Sequence, residues 1–336
     1  MPRPSFFIVG NPKGGTSALY QFLKAHPAVF MCQPKEPKYF ARDFFRTAAA
    51  ESTVKVQTEA QYLDLFREAR PDQRCGEAST WYLYSRVAAR AIHTFDPSAK
   101  IIVMLREPVD FLYSYYLQLR KSPIREGERI KDFRKALALE PERRQGRKIP
   151  RGCLLPEFLY YSERVKYADQ LQRFFTHFDR SQVKVILYDD FIRDNERVYH
   201  DVLAFLGLDQ DFTPVFRPHN KSAVLRSRPL QHLIRQVSFG EGWATPLKPA
   251  LKRLIPTRLR RALMRQINKQ LLFKSKEALA PELVHTLKQQ YHGEVVKLDA
   301  LLACDVLSRW GYEPPAPRNT PEAGQPLRPQ AAQGFV

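Results

Sequence analysis

The segment that most constrains this chain is Gly10-Asn-Pro-Lys-Gly-Gly-Thr-Ser17, set between an apolar strand-like run at Phe6–Val9 and a helical pattern at Ala18–Lys24. Strand, glycine-rich turn, then helix is how a backbone cradles an anionic phosphate: amides of the turn point inward, and the dipole of the following helix favours negative charge there. A nucleoside-triphosphate P-loop reads Gly-x-x-x-x-Gly-Lys-[Ser/Thr]. Here Gly10 and Gly15 keep that spacing and Ser17 fits the last position, but Thr16 takes the lysine slot. The lysine has moved into the turn, at Lys13. That displacement argues against an NTPase and for a different phosphate-bearing donor.

Short apolar, β-branched runs alternate with helical stretches, the pattern of a parallel sheet covered by helices. Strands are expected at Phe6–Val9, Val29–Cys32, Ile101–Leu105 and Val183–Leu187. Helices are expected at Thr16–Ala25, Glu59–Leu65, Arg86–Phe95, Pro108–Leu119, Pro156–Phe175, Asn195–Leu206 and Pro281–Leu302. The expectation is an α/β, P-loop-like three-layer fold with a central, mostly parallel sheet flanked by helices, in one domain over 1–313. Residues 121–152 are charged with little apolar periodicity and read as a mobile insertion. Residues 242–276 hold no acidic residue from Gly242 to Lys276 and interleave lysines and arginines with leucines. They read as a lid, a face for anionic lipid, or a solvated helix. The Pro-rich end, 314–336, has no core-forming pattern and reads as disordered.

The 336 residues, 44% of them hydrophobic, suffice to bury a sizeable core. The formal charge of +19 implies an anionic partner such as a nucleotide, nucleic acid, acidic glycan or membrane surface, or else a merely basic solvated surface. No nucleic-acid-binding motif accompanies the charge. Four widely spaced cysteines, without metal-ligand or disulfide-scaffold spacing, suit a reducing compartment. The phosphate-loop strand lies within the first ten residues, leaving no room for a signal peptide, and no apolar run approaches the roughly 18 residues of a membrane span. A cytoplasmic protein is expected, with peripheral membrane contact and oligomeric state left open.

A second anchor is Lys100-Ile-Ile-Val-Met-Leu-Arg106-Glu-Pro-Val-Asp-Phe-Leu-Tyr-Ser114. A buried strand delivers Arg106 to its carboxyl end, where ligands bind in open α/β sheets. Guanidinium plus the Ser114 hydroxyl suits a second phosphate group. The alternative is that Arg106 pairs with Asp110 and Ser114 merely fills a helix.

Together these stretches resemble the sulfotransferases that use 3′-phosphoadenosine 5′-phosphosulfate (PAPS), in particular the bacterial and heparan-sulfate-type branches. Lys13-Gly-Gly-Thr-Ser17 is similar to that family's 5′-phosphosulfate loop, and Arg106…Ser114 to its 3′-phosphate motif. Val183-Lys-Val-Ile-Leu-Tyr-Asp-Asp-Phe and Asp305-Val-Leu-Ser-Arg-Trp310 resemble its later strand and terminal motif. The resemblance implies PAPS as donor co-substrate, no metal, and a hydroxyl or amine acceptor on a glycan, glycolipid or small metabolite. It implies that Lys13, Gly14, Gly15, Thr16 and Ser17 hold the 5′-phosphate and Arg106 with Ser114 the 3′-phosphate. Lys221, Ser222 and Arg226 fall where the family has a loop closing over the donor.

The acceptor must lose a proton, and a general base must lie within hydrogen-bond reach of it. Glu36, in Lys35-Glu36-Pro37-Lys38-Tyr39-Phe40, follows the second strand and falls at the family's catalytic glutamate, with Lys38 where a histidine is usual. His93 is the contending base, and His26 suits a helix cap. Gly76-Glu-Ala-Ser-Thr-Trp-Tyr-Leu83 resembles a segment beside the acceptor, with Trp81, Tyr82 and Tyr84 lining the cleft or packing in the core. The rival readings are a P-loop kinase or other NTPase, which lacks its lysine at Thr16, and a non-enzymatic basic binding module.

Overall fold

The computed structural model describes residues 2–44, 56–121, 127–151, 153–216, 223–225, 273–275 and 277–312. Strand β1 (Pro4–Gly10) sends Phe6 and Ile8 to one helical layer and Phe7 and Val9 to the other, and all four are fully buried. A strand apolar on both faces belongs inside a parallel sheet. β1 is the middle of five: the order is β2 (Val29–Met31), β3 (Arg74–Ala78), β1, β4 (Lys100–Leu105), β5 (Val183–Leu187). Every neighbouring pair is parallel. A separate antiparallel pair joins β6 (Ala223–Leu225) to β7 (Phe273–Ser275).

Among the described residues the helices are α1 (Thr16–Ala25), α2 (Glu59–Asp64), α3 (Ala88–Phe95), α4 (Pro108–Lys121), α5 (Phe133–Ala138), α6 (Glu140–Arg144), α7 (Tyr161–Arg164), α8 (Tyr167–Phe175), α9 (Tyr188–Arg193), α10 (Asn195–Leu206), α11 (Pro281–Leu302) and α12 (Val306–Arg309). Leu19 and Leu23 of α1 and Tyr199 and Leu203 of α10 pack on the Phe6 face. Ile92 of α3, Phe111 of α4, Leu171 of α8 and Leu298 of α11 pack on the Phe7 face. The result is the three-layer α/β fold expected. No described helix is long and apolar enough to cross a membrane.

Three expectations need correction. Strand β3 was not anticipated, because Arg-Cys-Gly-Glu-Ala has no β-branched or aromatic residue. Its place in the sheet comes from a neighbour: a Cβ on Gly76 would lie 2.1 Å from the Phe6 ring, so the glycine lets that ring lie across β3. The single helix expected at Pro156–Phe175 is broken into a 3₁₀ turn (Pro156–Leu159), α7 and α8. Buried tyrosines override helix periodicity there, with Tyr161 donating to Glu128 Oε2 at 2.8 Å and Tyr167 to the Arg106 carbonyl at 3.0 Å.

The third concerns the stretch 121–152, read as a mobile insertion. Over 127–151 it is built into the protein. Arg143 donates from Nη1 and Nη2 to the two carboxylate oxygens of Glu128 at 2.7 and 2.9 Å, and both side chains are buried. Asp132 caps α5 by accepting from the Lys135 amide at 2.7 Å. The sequence 314–336 and all of 242–276 except β7 lie outside the described residues. Removing one member of a buried ion pair strands the other's charge, at a loss of about 3–5 kcal/mol. Arg143→Met should therefore lower the urea midpoint sharply, and the added change Glu128→Leu should recover much of the loss. Single and double variants of equal stability would show that the pair does not hold this segment.

Candidate active site

Because all five sheet strands run the same way, their carboxyl ends open on one side, where chains leave into turns. That edge forms a cleft of about 640 Å³. Every strand supplies it: Lys13, Thr16 and Ser17 follow β1, Lys35, Glu36 and Lys38 follow β2, Thr80 and Trp81 follow β3, Arg106 follows β4, and Tyr188 and Phe191 follow β5.

The glycine-rich turn is pressed against the neighbouring strand and helix. The Asn11 amide donates to the Met104 carbonyl of β4 at 2.6 Å. A Cβ on Gly14 would come within 2.8 Å of that carbonyl oxygen, and one on Gly15 (φ +95°) within 2.9 Å of the Phe191 ring. No side chain caps α1 and no acidic residue stands in its first turn, so the helix start keeps its attraction for an anion.

Arg106 reaches back to this turn. It donates to the Lys13 carbonyl at 3.4 Å and to Asp110 at 3.1 Å, and its guanidinium lies 4.6 Å from the centre of the Tyr188 ring. The pairing with Asp110 weighed as an alternative is thus present. Yet Arg106 Nε and the Ser114 hydroxyl are both buried without a hydrogen-bond partner among the described residues. Buried polar atoms of that kind are rare unless something else completes them.

Across the cleft, Lys35 links the turn to the carboxylate proposed as base. Its ammonium donates to Ser17 Oγ at 3.1 Å and to Glu36 Oε1 at 3.5 Å, and Thr80 donates to the same oxygen at 3.1 Å. The Glu36 amide is tied to the Ala78 carbonyl at 3.0 Å and the Lys38 amide to Ser79 Oγ at 3.1 Å. Lys13, Glu36 and Lys38 all have left-handed backbones (φ 66°, 63° and 62°), three of the five such non-glycine residues described. Strain of this sort persists only where the surroundings over-determine the backbone.

The far wall is aromatic. Trp81 meets Phe158 at 4.2 Å between ring centres, and the Lys38 ammonium sits 3.7 Å over the indole. Tyr82 belongs to the core instead, bonding the Phe40 amide, and Tyr84 stacks on Phe44 behind the cleft. His93 does not line the cleft. It packs on His177 and Phe178, while His26 accepts from the Ala28 amide near the end of α1. Lys221, Ser222 and Arg226 lie outside the described residues. Sequence reasoning placed Lys35 beside Glu36 but not its bond to Ser17, and it missed the parts played by Thr80, Tyr188 and Arg164.

A phosphate turn on the middle strand, faced by an arginine at the next strand end, defines the P-loop-like nucleotide-binding class. The family description "sulfotransferase domain" matches residues 3–295, and the chain belongs to that family. Carbohydrate sulfotransferase 15 of Mus musculus is 28% identical over 246 residues, covering 61% of this chain and 44% of the relative. The bifunctional heparan sulfate N-deacetylase/N-sulfotransferase 4 of Mus musculus is 26% identical over 207 residues, 61% of this chain and 22% of the relative. The chain thus spans less than half the length of these curated relatives. A crystal structure of a sulfotransferase from Alicyclobacillus acidocaldarius superposes with a TM-score of 0.65 at 29% identity, covering 93% of this chain and 100% of that one.

Beneath Glu36 lies Glu77 of β3, fully buried. Burial pushes its carboxyl up to about 7; the hydrogen bond from Tyr62 opposes the rise, and the Glu36 charge adds to it. Tyr62 donates to Glu77 Oε2 at 2.6 Å. A carboxyl with a folded pKa above its unfolded value near 4.5 keeps a proton that the unfolded chain loses. Its stabilising share is therefore fully present below about pH 4.5 and is lost as pH rises through about 7, on the order of 3 kcal/mol in all. Melting temperature should fall across that window, and Glu77→Gln, which keeps an acceptor for Tyr62, should flatten the fall. An unchanged slope in that variant would locate the pH dependence elsewhere.

Proposed function

We propose that this protein moves a sulfuryl group from PAPS to a hydroxyl or amine of a glycan-type acceptor. The observation that carries it is the chain Ser17–Lys35–Glu36, which joins the phosphate turn to a carboxylate within one cleft. Lys13 with Gly14, Gly15, Thr16 and Ser17 would hold the 5′-phosphosulfate end. The unpartnered Ser114 hydroxyl and Arg106 Nε suit the 3′-phosphate. Two of the relatives are named for carbohydrate or heparan sulfate acceptors, which favours a glycan here.

In the reaction, the acceptor oxygen or nitrogen forms a bond to sulfur as the bond from sulfur to the 5′-phosphate oxygen breaks. The acceptor proton goes to Glu36, held by Thr80 and Lys35. The electron pair of the broken bond stays on the phosphate, where Lys13 and the turn amides meet the growing charge. A sulfuryl group carries less charge than a phosphoryl group, so one lysine and backbone amides serve where ATP chemistry recruits Mg²⁺. Among the described residues no group of three or more His, Cys, Asp or Glu is placed to hold a metal. Four free cysteines fit a reducing, cytoplasmic setting, and the basic surface leaves a peripheral contact with anionic lipid open.

The product nucleotide, 3′-phosphoadenosine 5′-phosphate, should bind more tightly than AMP and raise the melting temperature by mass action. Arg106→Ala should remove that preference, as isothermal titration of both nucleotides would show. Equal binding of the two by the unmodified protein would sink the two-clamp assignment. In turnover assays with PAPS and an accepted glycan, Glu36→Gln should lose about 10²–10⁴-fold in rate while still binding the product nucleotide. Lys13→Ala should likewise lower turnover far more than nucleotide affinity, since its charge is needed most as the bond breaks. Near-normal turnover in either variant removes that residue from the chemistry.

A further inference from the structure

Arg164, at the end of α7, lines the aromatic side of the cleft and is 3% exposed. Its guanidinium lies 4.2 Å from the ring centre of Tyr84, 5.0 Å from that of Tyr115 and 5.6 Å from that of Phe158. Yet Nε and Nη1 are buried with no hydrogen-bond partner among the described residues. The neighbouring carboxylate, Glu163, is taken by Arg144 at 2.9 Å and Lys166 at 2.8 Å. Ring faces attract a cation but accept none of its in-plane N–H bonds. A buried guanidinium held flat by rings, with its edge unsatisfied, is preorganised for a planar or tetrahedral anion.

That anion need not be the donor's: both donor clamps are already assigned, to the turn after β1 and to Arg106 with Ser114 after β4. Arg164 stands instead with Phe158 and Trp81, the wall on which Lys38 adds a second cation. We propose that Arg164 binds a carboxylate or sulfate of the acceptor, so that the protein selects an acidic sugar over a neutral one. This inference rests on the sulfotransferase reading of the cleft. Rings of Trp81 and Phe158 offer the apolar surface for the sugar ring, and Arg164 fixes its charged substituent.

The test is titration of the protein, saturated with 3′-phosphoadenosine 5′-phosphate, with glucuronate against glucose, and with N-acetylglucosamine 6-sulfate against N-acetylglucosamine. At least one charged sugar should bind about tenfold or more tightly than its neutral partner. Arg164→Gln should erase the difference and leave nucleotide affinity unchanged, and Arg164→Lys should keep part of it. Charged and neutral sugars binding alike to the unmodified protein would overturn the proposal, with no variant needed. Loss of nucleotide affinity in Arg164→Gln, with sugar preference intact, would also overturn it and make Arg164 a donor residue. Failure of the unmodified protein to bind the nucleotide at all would overturn the sulfotransferase reading together with this one.

Discussion

The common direction of the five sheet strands is the constraint on which the rest of the structure depends. A parallel sheet returns each chain to the same starting edge through a crossover, so its carboxyl ends collect turns, and those turns collect polar side chains. Here the consequence is complete: each of the five ends places a residue in one cleft. Residues as far apart in sequence as Lys13, Glu36, Thr80, Arg106 and Tyr188 meet because the register of β1 against β3 and β4 brings their strand ends level.

The end of the described chain locks this edge from behind. Trp310 donates its indole N–H to Asp189 at 2.9 Å and Arg309 pairs with Asp190, both on α9, the helix that carries Tyr188 and Phe191 into the cleft. Tyr312 donates to Glu107 at 2.7 Å, next to Arg106, and burial raises the Glu107 carboxyl above its ordinary range. Tyr167 holds the Arg106 carbonyl from α8. A segment some two hundred residues away in sequence thus holds Arg106 and its neighbour in place through packing.

Legibility followed how local each cause was. β1, α1, α10, α11 and β5 were visible because their own side chains show the period of the element they form. β3 was not, since Gly76 takes its place through the Phe6 ring. The turn at Lys13 and the carboxylate at Glu36 were readable from motif and resemblance. Arg164 was unreadable: what sets it apart is a cage of rings from three separate segments and a carboxylate already claimed by others. The charged stretch 127–151 misled for the same reason, because Glu128 and Arg143 look like surface residues until they are seen to close on each other.

Three arginines of this protein show how pairing separates structure from function. Arg143 gives both terminal nitrogens to a buried carboxylate, so only its Nε is left without a partner among the described residues. Arg106 has one carboxylate partner among the described residues, the exposed Asp110, a contact of the kind worth about 0–1 kcal/mol. So weak a partner holds the guanidinium beside the turn, to which it also donates through the Lys13 carbonyl, without committing its remaining N–H groups. Arg164 has rings and, among the described residues, no carboxylate. The weaker its internal partner, the more of an arginine's hydrogen-bonding capacity is left for a ligand.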